Sequence, residues 1–116
     1  MKHLFIPTPT FERSYKRLKK KYVSIKTDLE GFQKEYNENP NIGSDLGNGF
    51  RKIRIAVKSK NKGKKGGARI ITYDVCIKTD DKIVILVDIY DKSEVSTLEN
   101  SKYEMALNEF VTLNKT

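Results

Sequence analysis

GFRKIRIAVKSKNKGKKGGARIITYDV, residues 49–75, is where the chain stops reading as helix and starts reading as sheet. In its first part Ile53, Ile55 and Val57 fall on one face and Lys52, Arg54 and Ala56 on the other, the two-residue period of a strand. ARIITYDV repeats the alternation, with Ile71, Tyr73 and Val75 on the side of Arg69 and Ile70, Thr72 and Asp74 opposite. Between the two runs stand five lysines in eight residues, Lys58, Lys60, Lys62, Lys64 and Lys65, followed by the Gly66–Gly67 pair. Two strands joined this way form an antiparallel pair with positive charge gathered at its mouth.

The flanks supply the other elements. KHLFI (residues 2–6), stopped by Pro7 and Pro9, reads as a first strand. Thr8 or Thr10 is placed to cap the helix that follows. In FERSYKRLKKKY, Phe11, Tyr15, Leu18 and Tyr22 recur at helical spacing and leave a lysine-rich outer face. After a break at Tyr22–Ser24, Ile25, Leu29, Phe32 and Tyr36 restart the pattern, so residues 10–38 read as two antiparallel helices. Core packing is the expected role of these aromatics. NENPNIGSDLGNG (37–49) reads as a loop, KTDDK as a hairpin turn, and KIVILVDIY, apolar on both faces, as the central strand. Beyond Ser96, a cap candidate, Tyr103, Leu107 and Phe110, with Met105 and Ala106, predict a final amphipathic helix. The order β-α-α-β-β-β-α describes a single α+β domain over residues 1–116, with a mainly antiparallel sheet, two N-terminal helices on one face and a C-terminal helix.

Composition narrows the chemistry. The single cysteine, Cys76, allows neither an internal disulfide nor a cysteine metal cage, and its apolar surroundings predict a small core side chain. His3 is the only histidine and stands near the frayable N-terminus, which excludes a histidine zinc site or a two-histidine nuclease. No metal or cofactor is expected. No stretch reads as a signal peptide or membrane span, so the cytoplasm is the expected location. Lysine and arginine exceed aspartate and glutamate by 23 to 15, a net charge of +8. Nine of those cations, Arg51, Lys52, Arg54, Lys58, Lys60, Lys62, Lys64, Lys65 and Arg69, lie between Asp45 and Asp74 with no acidic residue among them. A merely solvated surface interleaves both signs; this block predicts an anionic partner.

The strand pairing brings Lys52, Arg54, the loop lysines and Arg69 within reach of one another. An antiparallel neighbour would add Tyr90 and Lys92 at the end of the last strand. Such a site suits RNA: arginine binds phosphate bidentately, lysine supplies point charge, and tyrosine offers a stacking face. Gly63, Gly66 and Gly67 let the backbone approach a phosphodiester. This is no P-loop, because a strand follows instead of a helix. Cleavage without metal needs a base, an acid and a cation for the phosphorane. A lysine crowded by like charges is a candidate base, and Arg69 a candidate for the transition-state charge. The bland alternative is a solvated lysine loop that keeps the protein soluble.

These residues, followed by ILVDIYDKSEVSTL, resemble the RelE/HigB superfamily of bacterial toxins, and the HigB-like branch most of all. The resemblance covers roughly residues 50–98. It rests on the basic strand Arg51 to Arg54, the Lys58–Lys65 loop, Gly66–Gly67–Ala68–Arg69 opening a strand that runs to Tyr73, and Tyr90–Asp91–Lys92–Ser93–Glu94 ending the last strand. It implies a microbial-ribonuclease-like fold and a metal-independent endoribonuclease, an mRNA interferase. Such a toxin inhibits translation by cutting mRNA in the ribosomal A site, and a cognate antitoxin neutralises it. On that resemblance Arg69 would hold the scissile phosphate. Lys62, Lys64 and Lys65 would supply the base and phosphate contacts, and Tyr90 and Lys92 would stack a base or contact phosphate. Lys52, Arg54, Lys58, Lys60, Gly66 and Gly67 would line the RNA path. Which lysine is the base stays open. Asp91 is expected to face away from Tyr90 and Lys92, and Arg69, as a strand-opening residue, to lie outside the core. The lysines of the first helix read as a solvated face, with a grip on ribosomal RNA as the second reading. Two alternatives from other classes remain: a ParE-like toxin that poisons gyrase on the same fold, and a plain basic RNA-binding domain.

Overall fold

The computed structural model of the protein describes residues 2–61, 63–76, 81–94 and 100–113. Lys62, Ser96 and most of the KTDDK turn lie outside them, as does the side chain of Cys76. Among the described residues the chain is a small α+β domain with a five-stranded mixed sheet and four helices. Strand β1 (Lys2–Pro7) leads into α1 (Pro9–Lys21) and α2 (Ile25–Glu38). A short β2 (Ser44–Gly47) and β3 (Phe50–Ile55) come next, then a 3₁₀ turn (Lys58–Lys60) and the single-turn helix α3 (Gly63–Gly66). Strands β4 (Ala68–Cys76) and β5 (Asp81–Asp91) precede α4 (Asn100–Leu113).

The strands lie in the order β1-β5-β4-β3-β2. All pairs are antiparallel except β1 with β5. β5 is therefore an interior strand, as its two apolar faces require, but β4 holds the middle because β1 docks on the far side of β5. Helices α1 and α2 cover one face, packing Phe11, Leu18, Ile25, Phe32 and Tyr36 against Ile53, Ile55, Ile70, Val84, Leu86 and Ile89. Helix α4 covers the other, where Tyr103 and Ala106 meet Phe50, Ile71, Ile85 and Val87. Thr8 is the α1 cap: its Oγ1 accepts from Phe11 N at 3.1 Å and donates to Val87 O at 2.9 Å. One fully buried hydroxyl thus starts the helix and ties it to β5.

Two local readings change. Residues 37–49 are not all loop: Ser44–Gly47 pairs with β3 as an edge strand. The two-residue turn between them has Asn48 at φ 56° and Gly49 at φ 88°, the positive angles that Asn-Gly supplies in a tight hairpin. His3 is not frayed either. It is buried on β1, with Nδ1 2.7 Å from Asn37 Oδ1 and its ring edge-on to Tyr36. No helix among the described residues is long and apolar enough to cross a membrane.

A candidate cationic cleft at the edge of the sheet

The register of three strands builds the site. Arg54 of β3 stands directly opposite Arg69 of β4, and Arg69 opposite Tyr90 of β5. Lys52 lies one step along the same face of β3. β2 pairs with β3 only as far as Lys52, so the edge from Ile53 onward is free of a strand partner among the described residues. A cleft of about 420 Å³ opens there, lined by Lys52, Arg54, Lys64 and Arg69, with Ile53 and, from α2, Glu35. Among the described residues no carboxylate forms an ion pair with Lys52, Arg54, Lys65 or Arg69. Like charges directly opposite in a sheet are destabilising. The Arg54–Arg69 pair is a cost that the free protein bears and a bound anion would offset.

Arg69 is not the surface residue expected. It is 8% exposed. Its Nη1 donates to Lys64 O at 3.2 Å and Ala68 O at 3.1 Å, and its Nη2 to Lys65 O at 3.1 Å. The guanidinium thereby closes the last turn of α3, donating to Lys65 O and sharing Lys64 O with Gly67 N, which lies 3.4 Å from it. Those bonds use three of its five N–H donors. Burial, and next the Arg54 charge, hold its pKa below the usual arginine value. This strand-opening arginine is outside both core clusters, as expected, but is buried because the lysine segment folds back over it, which local sequence does not show.

The lysine segment is likewise strapped down, not hanging free. Its start is held by Ser24, just before α2, and by Asp28 in the first turn of that helix: Ser59 N donates to Ser24 Oγ at 2.9 Å, and Lys58 N faces both Asp28 oxygens at 3.3 Å. Its middle is held by Lys60, whose Nζ reaches Asp91 Oδ1 at 2.5 Å and Gly67 O at 3.2 Å. Its end is held by Lys64, ion-paired with Glu35, and by Gly67. A Cβ on Gly67 would stand 2.0 Å from the Ile55 carbonyl oxygen, so no other residue fits there without moving backbone.

The expected site residues separate accordingly. Lys52, Arg54, Lys64 and Arg69 line the cleft. Lys65 is exposed on α3, next to it in sequence, and Gly66 and Gly67 close that turn. Lys92 is exposed, and its N–H donates to Gly67 O at 3.0 Å, which brings the end of β5 beside the mouth of the hairpin. Lys58 is exposed but lines a separate, smaller cavity. Lys60 points inward to Asp91 and is not available to a ligand. Tyr90 faces Arg69 across the strands, yet its ring is half-buried against the core under α4, and that burial raises its pKa. Asp91 turns away from Tyr90, as expected, but into a buried site shared with Lys60, Lys21, Tyr22 and Ser93. Glu35 was not singled out by its sequence position; it borders the buried face of α2, one residue before Tyr36.

A cleft with four convergent cations and an open strand edge has the chemistry to seat a phosphodiester. A scan against models of known protein families matches none of them to this chain.

Proposed function

We propose that the protein is the toxin of a type II toxin–antitoxin pair, of the RelE/HigB kind and with that microbial-ribonuclease-like fold, and that it cleaves mRNA on the translating ribosome. The observation that carries the reading is the opposed Arg54–Arg69 pair in a cleft it shares with Lys52 and Lys64. Two arginines in direct register suit two oxygens of one phosphate, and the neighbouring lysines suit the phosphates on either side. Arg69 holds the scissile phosphate and the charge that develops on it. Lys52, Arg54, Lys64 and Lys65 carry the strand through the cleft, with Lys92 and Tyr90 at its far end. The exposed cations of α1, Arg13, Lys16, Lys19 and Lys20, are offered to ribosomal RNA. A cognate antitoxin masks the site until it is removed, and the action is cytoplasmic.

The test is a reconstituted translation reaction with a defined mRNA, run with and without ribosomes. The reading predicts cleavage only when ribosomes translate the message. Intact mRNA beside double-strand breaks in supercoiled DNA treated with gyrase would replace it with the gyrase-poison reading. Salt-sensitive RNA binding with neither effect would leave a plain RNA-binding domain.

A further inference from the structure

The cleft as described holds cations, and a lysine ammonium takes a proton only after it has given up its own. Metal-free cleavage requires a group that takes the 2′-hydroxyl proton as the 2′-oxygen attacks phosphorus. A guanidinium cannot serve, since it stays protonated in proteins. Among the described lining residues there is one carboxylate, Glu35. It is presented by α2, whose Phe32 and Tyr36 are locked in the core, so its backbone position is fixed on the wall of the cleft. Its Oε1 accepts from Lys64 Nζ. The pair stands between the main cleft and a cavity of about 180 Å³ that both residues also line. Exposed Lys–Glu pairs are common surface features. This one differs in its place, because it puts a single anion inside a site otherwise lined by Lys52, Arg54, Lys64 and Arg69.

We propose that Glu35 is the general base of the cleft, a catalytic residue for cleavage of an RNA phosphodiester, an assignment that rests on the nuclease reading above. The carboxylate takes the 2′-hydroxyl proton while the 2′-oxygen forms its bond to phosphorus. The bond from phosphorus to the 5′-oxygen breaks, and that oxygen leaves with a proton from the Lys52 ammonium. The products are a 2′,3′-cyclic phosphate and a 5′-hydroxyl end. Exchange with water then returns the proton to Lys52 and removes the one on Glu35, so no metal, oxidant or co-reactant is consumed. Arg54 and Arg69 hold the phosphorane charge. Lys64 is a positioning residue that keeps the carboxylate turned into the cleft.

The test measures rate and affinity separately, on the full chain. Cleavage is followed on a translated mRNA, and binding on a 2′-deoxy oligonucleotide that cannot be cleaved. Glu35→Gln is expected to slow cleavage by about 100-fold or more, within the range for loss of a general base. The same change removes the one anion from the cleft, so oligonucleotide affinity is expected to rise by about 2–5-fold at low salt. Glu35→Asp is expected to keep part of the rate, and the wild-type product to carry a 2′,3′-cyclic phosphate end. A structural role would give the opposite pattern, with affinity and melting temperature falling along with rate. If Glu35→Gln loses its helical circular dichroism, Glu35→Asp decides: a slowed rate with unchanged fold and affinity supports the base, and an unchanged rate overturns it. Wild-type cleavage by Glu35→Gln overturns the assignment and leaves the nuclease reading standing. A wild-type protein that binds the oligonucleotide and cleaves nothing overturns both.

Discussion

Lys60→Met keeps the stem of one lysine among five and removes its charge, and its predicted effect is far larger than a surface lysine would give. Asp91 is 1% exposed, and the Lys60 side chain only 10%. Their contact at 2.5 Å joins the 3₁₀ turn to the end of β5, and Nζ also holds Gly67 O at 3.2 Å. Removing one partner of a buried pair costs about 3–5 kcal/mol, because the other charge is left uncompensated. Asp91 would keep Tyr22 Oη, Ser93 N at 3.0 Å and Lys21 at 3.7 Å, so the loss should fall at the low end, about 3 kcal/mol. For a domain of this size that is about 10–15 °C in melting temperature. The assay is urea and thermal unfolding of Lys60→Met, Asp91→Asn and the double variant. Asp91→Asn relieves the stranded charge, so the double variant should lose less than the two single losses added together. A loss below about 1 kcal/mol for Lys60→Met, or strict additivity, refutes the reasoning, since exposed pairs behave that way.

Other consequences concern pH, backbone fit and anions. Burial alone would raise the pKa of Asp91, but hydrogen bonds from Lys60, Tyr22 and Ser93 outweigh it and hold the carboxyl below its usual range. Its folded pKa thus lies under the unfolded value of about 3.9, so its contribution is present above that pH and lost as pH falls below it. Melting temperature should drop below about pH 4, and less steeply in Asp91→Asn. Gly67→Ala should destabilise by more than about 2 kcal/mol in urea unfolding, because its Cβ meets the Ile55 carbonyl. Arg54→Ala relieves the charge facing Arg69 and should raise stability by about 0.2–1 kcal/mol in buffer without multivalent anions. Wild type should be stabilised by added sulfate or phosphate and Arg54→Ala less so, read as the shift of melting temperature with anion concentration.

The parts of the fold that were legible in sequence are those set by periodicity. The two-residue alternation over 50–57 and 68–76 located β3 and β4, and the spacing of Ile25, Leu29, Phe32 and Tyr36 located α2. β2 was hidden because Ser44–Gly47 is four residues long with a single apolar side chain, Leu46, too little to show alternation; its one signal was the Asn48–Gly49 turn. In the candidate site, Lys52, Arg54 and Arg69 were legible because pairing register follows from a hairpin. The burial of Arg69 was not, since it depends on α3 folding over the strand end. The fate of Lys60 was not either: its partner Asp91 lies 31 residues away, at the end of a strand whose pattern says nothing of what packs beside it. Glu35 was invisible for the same reason, as a helix pattern says which residues face the core but not what lies across from the border.

These placements also choose the variant for the deciding experiment. Arg69→Ala removes the bonds that close α3, so lost activity in that variant is no proof of a catalytic role. Arg54 is exposed, donates to no described carbonyl or carboxylate, and stands in the same row. The most direct measurement is transcript 5′-end mapping after a brief induced pulse of wild type, with Arg54→Ala and a Lys52→Ala/Arg54→Ala double variant alongside. A ribosome-dependent nuclease predicts new 5′ ends within translated codons, in frame, reduced in Arg54→Ala and absent in the double variant while both remain folded. Growth arrest with every transcript intact, or the same ends in all three proteins, would contradict it.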